Sequence, residues 1–228
     1  MHSTAFAGTS HELPAASIQD QIDSMVSQIL GSFPEPSRLS AEQRRGILAR
    51  YTAVLEGNFI YWMTGAYLAA RSDETRSIIW DNLHEEVRDA HPEMLRKFAL
   101  AAHAAPTDAD AAAVYPELTQ VRRFIGKLSA VKIVLMMAFF EKLIQQWMPY
   151  MADLAGLQGS TEREYTDVHG VCDVAHSQEL FRALDVEMAL DGAGESEASL
   201  FEGVDLLRGL IKSIVQGAGV SAAAAGRS

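Results

Sequence analysis

The segment DVHGVCDVAHSQEL, residues 167–180, sets His169, Asp173 and His176 among Val168, Val171, Cys172 and Val174. At about 100° per residue, the spacing i, i+4, i+7 places the three within roughly 60° of arc on one side of a helix. A solvated polar face, or a buried histidine satisfied by a backbone carbonyl, would explain any one of them. Three coordinating groups a turn apart on one rigid face suit a metal of the iron type, because Fe(II) accepts imidazole nitrogen and carboxylate oxygen together.

Polar groups also interrupt apolar faces elsewhere. In VLMMAFFEKLIQQWM, Glu141 shares its face with Met137, Ile144 and Met148, where a carboxylate is costly unless a cation meets it. In AVLEGNFIYWM, Glu56 shares a face with Phe59, Ile60 and Met63, with no Lys or Arg one turn away. DNLHEEVRDAHPEML holds His91 just before Pro92, with Glu85 and Glu86 less than two turns upstream and His84 on the same face. Singly, Glu56 or Glu141 reads as an edge residue reaching to water, and Glu85 as part of a solvated acidic helix. Together, Glu56, His91, Glu141, His169, Asp173 and His176 supply three imidazoles and three carboxylates, enough to hold two metal ions. A fourth carboxylate from Glu85 or Glu86 would balance two Fe(II) ions, making a buried acidic cluster tolerable.

These residues require helices to position them. Gly and Pro fall between segments of helical periodicity, and no stretch alternates as a strand does. A first helix is predicted over about 16–30, with Ile18, Ile22, Met25, Val26 and Ile29 on one face and a stop at Gly31. After the loop SFPEPSRLS, a capping box of Ser40 and Gln43 opens a second helix reaching Arg71. A third spans about 72–103, and AAPTDADAAA reads as a turn. Two more cover about 113–127 and 129–154, the latter bent or ended near Pro149. Thr161 and Glu164 cap the helix bearing the stripe, Gly192 and Gly194 end it, and a last helix runs over 196–216. The expectation is one all-α domain of about seven helices over 16–217, between a flexible start, 1–15, and a disordered tail, 218–228.

Composition narrows the partners. The 228 residues suffice for one sizeable core, and a formal charge of −11 opposes binding to nucleic acid. One cysteine, Cys172, permits no internal disulfide and suits a reducing compartment. The longest oily run, IVLMMAFF, falls well short of the ~20 apolar residues a membrane helix needs. The first residues lack the basic and long apolar regions of a secretory signal, so a cytoplasmic protein without membrane contact is expected.

The HxxxDxxH stripe, here His169, Asp173 and His176, and DNLHEE followed by HPEMLRKF resemble the heme-oxygenase-like diiron oxidases and oxygenases over about residues 45–190. The resemblance implies a heme-oxygenase-like helical bundle holding two nonheme iron ions. It implies Glu56, His91 and Glu141 as ligands beside the stripe, and a further carboxylate upstream of His91: Glu86 from the DNL register, with Glu85 as the alternative. Members of this family use O2 and two electrons from an external donor to form a peroxo-diiron(III) species. With it they oxidise small substrates, commonly in natural-product pathways. The further carboxylate accompanies members that oxygenate amine nitrogen, so N-oxygenation of a small amine to a hydroxylamine, nitroso or nitro product is expected. Oxidative decarboxylation or carbon–carbon cleavage of an amino or fatty acid is the alternative, and a homodimer is a further expectation.

Rival classes fit less well. Ferritin-like diiron bundles need an ExxH on each of two helices, and the candidate site offers one DxxH. Haem-degrading oxygenases need a glycine-rich distal helix, which has no counterpart here. A metal-free hydrolase of the thiaminase type would use Cys172 as nucleophile, against its plainer reading as a small core residue.

Overall fold

Residues 130–157, AVKIVLMMAFFEKLIQQWMPYMADLAGL, are apolar almost all round, as befits a helix that others surround. In the computed structural model, which describes residues 17–191 and 197–217, this helix is the axis of an all-helical bundle, with no strand among the described residues. The expected flexible start 1–15, the terminators Gly192 and Gly194, and the tail 218–228 lie outside the described residues. The helices are α1 (Ile18–Gly31), α2 (Ala41–Leu55), α3 (Asn58–Ala69), α4 (Asp73–Arg88), α5 (His91–Ala101), α6 (Asp108–Ile125), α7 (Ala130–Leu157), α8 (Glu164–Asp191), α9 (Glu197–Leu200) and α10 (Glu202–Gln216). Against α7 pack α8, most extensively, then α10, α3, α2 and α1.

The number exceeds seven because three expected helices are each interrupted. Glu56 and Gly57 divide α2 from α3, with Gly57 at φ +80°, the left-handed region open to glycine. Asp89 and Ala90 divide α4 from α5, and Phe201 separates α9 from α10. Neither of the first two breaks interrupts the apolar pattern, which is why periodicity passes over them.

Other boundaries also moved. The Ser40–Gln43 capping box is present, and so is one in which Thr107 accepts from Asp110 N while Asp110 returns to Thr107. The latter starts α6 at Asp108, inside the stretch read as a turn. Pro149 does not end α7, because Trp147, Met148, Met151 and Leu154 on either side of it are buried. That burial outweighs the ~3 kcal/mol a helix loses at an interior proline. Thr161 does not cap α8: Ser160 Oγ accepts from Glu162 N and a Glu162 carboxylate oxygen accepts from Glu164 N, so the helix starts at Glu164.

One buried carboxylate fixes α4 against α8. Glu187, wholly buried in the last turns of α8, accepts from the backbone N–H groups of Arg71 and Ser72 at 3.0 Å each and from the Arg71 guanidinium at 3.3 Å. Burial alone would raise its pKa, but these donors hold it below the usual carboxylate value. The start of α4 is thereby tied to α8, which places Glu85 and Glu86 opposite the stripe.

Ala90, at φ +56° and ψ +40°, turns the chain between α4 and α5. A side chain in this region costs roughly 1–2 kcal/mol. Ala90→Gly is expected to raise unfolding stability by about 1 kcal/mol in chemical denaturation.

Candidate metal centre

The α8 stripe is turned inside out relative to ordinary amphipathic logic. His169, Asp173 and His176 are 6%, 1% and 5% exposed, whereas Val171 is 75% exposed. Packing that buries a carboxylate and two imidazoles and leaves a valine in water requires something that repays the desolvation of the polar groups.

Two groups of donors meet there. Glu86, His91 and His169 bring one ligand atom each within 4.8 Å of one another, and so do Cys172, Asp173 and His176. Glu141, 2% exposed in the middle of α7, shares a cavity with Glu86, His91, His169 and Asp173. Apart from Tyr165, the other walls of that cavity are apolar, among them Leu55, Phe59, Leu95, Phe140 and Ile144, and its empty space, open side included, is about 450 Å³.

Hydrogen bonds set the imidazole tautomers. His169 Nδ1 lies 2.8 Å from the Tyr165 carbonyl, which can only accept, so Nδ1 carries the proton and Nε2 keeps its lone pair. His176 Nε2 lies 3.0 Å from a Glu85 carboxylate oxygen, while its Nδ1 is buried without a partner, 3.8 Å from Asp173 Oδ1. With Nε2–H donating to Glu85, Nδ1 faces the cluster as an acceptor. His91 Nδ1 is 2.7 Å from Glu86 Oε1, and its ring stands 4.6 Å from that of His169. Asp173 Oδ2 is likewise buried and unpartnered, and its Oδ1 accepts the Cys172 thiol proton at 3.1 Å. These orphaned, convergent lone pairs fit a divalent cation, the partner they lack.

The charges tell the same story. Burial pushes Glu141 up to about 7, opposed by His176 and assisted by Glu86. Burial and the Glu141 charge hold Asp173 well above the carboxylate range. Burial pushes His169 down to about 4. For His91 burial acts downward too, but the hydrogen bond to Glu86 and its charge win and raise it. Cys172 is driven upward by burial and by Asp173, the opposite of what a nucleophilic thiol requires.

Of the residues singled out from the sequence, Glu86, His91, Glu141, His169, Asp173 and His176 converge. Glu56 does not: at the end of α2, its carboxylate pairs with Arg96 of α5. The cation absent from its own helix is supplied by another. Both Glu85 and Glu86 face the cluster, on different imidazoles. Sequence reasoning missed Asn82, whose Nδ2 donates to Glu141 at 3.4 Å, and Tyr165, which orients His169 and whose hydroxyl lies 2.7 Å from that of Tyr51. Each stands one turn before a marked residue, Asn82 before Glu86 and Tyr165 before His169, and that spacing was the available signal.

A family model described as "iron-containing redox enzyme" matches residues 48–205, which carry every one of these donors. No curated protein matches the chain at a significant level.

Proposed function

Because the chain belongs to the iron-containing redox enzyme family and is an oxidoreductase of heme-oxygenase-like fold, we propose that it is an O2-dependent nonheme diiron oxygenase acting on a small amine. The carrying observation is the pair of buried donor groups with their unpartnered Asp173 Oδ2 and His176 Nδ1. Glu86, His91 and His169 would hold one iron and Asp173 and His176 the other, and Glu141, in the same cavity, would add its carboxylate to the set. Iron bound there would supply the activation of O2 and the two-electron oxidation of substrate.

The protein's own part is orientation and exclusion. The Tyr165 carbonyl and the Glu85 carboxylate fix the two α8 imidazoles, and Asn82 steadies Glu141. The apolar walls keep bulk water from the oxidised atom. Two Fe(II) ions bring four positive charges; Glu86, Glu141 and Asp173 cancel three, and Glu85 beside His176 cancels the last. The fourth carboxylate supports N-oxygenation as the finer reading.

Its test is a pair of variants. Glu86→Ala is expected to lower iron stoichiometry toward one per chain, since it removes a donor. Glu85→Ala is expected to keep about two irons, bound ~10–100-fold more weakly at one site, as loss of an outer partner does, and to lose N-oxygenated product. Anaerobic iron titration with metal quantitation, and mass spectrometry of aerobic reactions with candidate amines, read the outcome. One zinc per chain, or no metal, would overturn the diiron reading. Wild-type N-oxygenated product from Glu85→Ala would remove Glu85 from that chemistry, and a decarboxylated or carbon–carbon-cleaved product from the wild type would favour the alternative reaction.

A further inference from the structure

Among the described residues lining the cavity, Tyr165 alone is neither apolar nor one of the proposed ligands. Its ring stands 4.2 Å from that of His169, and its hydroxyl lies 2.7 Å from that of Tyr51, on α2. Both phenols are buried. Packing does not ask for this pair, since two phenylalanines would fill the same space, and exchanging both partners of a buried hydrogen bond for apolar groups of the same shape is nearly neutral.

Ring contacts continue outward from Tyr51. Trp147 meets it edge-on at 5.3 Å, Phe33 stands 5.2 Å from Trp147, and Tyr150 stands 5.2 Å from Phe33. Trp147 is fully buried, Tyr150 is half-buried, and Phe33 lines a surface groove between α1 and α10. A contiguous line of rings therefore runs from the metal site to the surface, and its tyrosines and tryptophan are side chains that can lose an electron. Burial, reinforced by the charges of Asp173 and Glu86, raises the pKa of Tyr165 and Tyr51, so at rest neither is an anion and an electron leaves either one only with its proton.

We propose that the hydrogen-bonded pair Tyr165 and Tyr51 is an internal reductant of the metal site, which quenches oxidised iron when no substrate fills the cavity. This rests on the reading of the site as a diiron centre and adds a redox role for residues that are not ligands. In the first step Tyr165 gives one electron to the oxidised iron and its phenolic proton to the hydroxide that O2 reduction leaves in the cavity, forming water. Tyr165 is then a phenoxyl radical. In the second step Tyr51 passes a hydrogen atom across the 2.7 Å contact, which restores the Tyr165 phenol, leaves the radical on Tyr51 and moves no net charge. A one-electron donor of the ascorbate class at the surface then supplies an electron through Trp147. The matching proton enters from solvent by the open side of the cavity and crosses Tyr165 to Tyr51, so both phenols are restored.

The test is high-field electron paramagnetic resonance on the Fe(II)-loaded protein, freeze-quenched after mixing with O2 in the absence of substrate, with iron quantified on the same samples. The wild type is expected to give a phenoxyl signal whose g-tensor carries the shift of a hydrogen-bonded phenoxyl. Incorporating ring-deuterated tyrosine should narrow that signal, which identifies a tyrosine without any substitution. Tyr165→Phe should lose the signal, because the pair is then cut off from the iron, whereas Tyr51→Phe should keep a signal and lose the hydrogen-bond shift. Ascorbate should shorten the life of the wild-type radical, and should do so less in Trp147→Phe. Iron-loaded wild type that gives no phenoxyl would overturn the proposal and leave the diiron reading standing. So would a signal unchanged in Tyr165→Phe, or a hydrogen-bond shift unchanged in Tyr51→Phe, the behaviour of a radical seated elsewhere. Failure of the wild type to take up iron sinks the diiron reading, and the relay with it.

Discussion

Alanine at His169 is expected to abolish binding of one Fe(II) and all oxidative turnover while leaving the helical fold in place. His169 offers a lone pair whose direction is set by the Tyr165 carbonyl, and its ring packs at 4.6 Å from His91 and 4.2 Å from Tyr165. No neighbouring group can replace that nitrogen. Losing an outer partner of a metal ligand costs about 10–100-fold in affinity, so losing the ligand itself costs more. Asp173→Ala should act as strongly on the second ion, because Asp173 Oδ2 is unpartnered in the metal-free fold. Removing this buried carboxylate relieves an uncompensated desolvation, so metal-free Asp173→Ala is expected to unfold at a higher temperature than metal-free wild type. Iron titration and thermal unfolding on the same preparations check both halves. An Asp173→Ala protein that keeps two irons, or that is less stable without metal, contradicts the assignment.

The second large effect is a divergence with pH. In the metal-free fold, Glu141 titrates near 7 and Asp173 well above its ordinary value, so the folded chain holds protons that the unfolded chain has already released. Stability from these groups therefore falls as pH rises. His91, raised by Glu86, adds to the fall: its contribution is complete below the ordinary histidine value of 6.5 and is lost above it. His169, lowered to about 4, works the other way, but only between about 4 and 6.5. Between pH 6.5 and about pH 8, then, the raised groups act in one direction, and the metal-free melting temperature should drop by a few degrees. Iron binding needs the deprotonated carboxylates and neutral imidazoles that rising pH supplies, so stabilisation by Fe(II) should grow over the same interval. Parallel melting curves with and without Fe(II) would contradict the metal centre.

The helical class and most of the buried donor cluster were legible because both rest on spacing within one element. The stripe is a property of α8 alone, and Glu141 stands out against the apolar run of α7. Glu56 stands apart from the other donors for a reason that spacing cannot reveal: its partner, Arg96, comes from α5. The choice between Glu85 and Glu86 had the same origin. Neighbours on α4 point about 100° apart, and only the packing of α4 against both α5 and α8 lets each find its own imidazole. Tyr165 and Asn82 were invisible because their roles are hydrogen bonds made after assembly.

Glu141, His169, Cys172, Asp173 and His176 all belong to the α7–α8 hairpin, while Glu86 and His91 arrive from α4 and α5. The hairpin is local in sequence and is expected to close before the other two donors, which depend on longer-range docking. An incompletely folded chain therefore presents thiol, imidazole and carboxylate without the rest, a set that favours zinc or copper over iron. Completion of the bundle shifts the balance: Cys172 is then held as a thiol against Asp173, and the carboxylates of the finished cluster outnumber soft ligands. Correct metallation is then expected to be a matter of timing, with the docking of α4 and α5 as the event that adds Glu86 and His91 to the donor set.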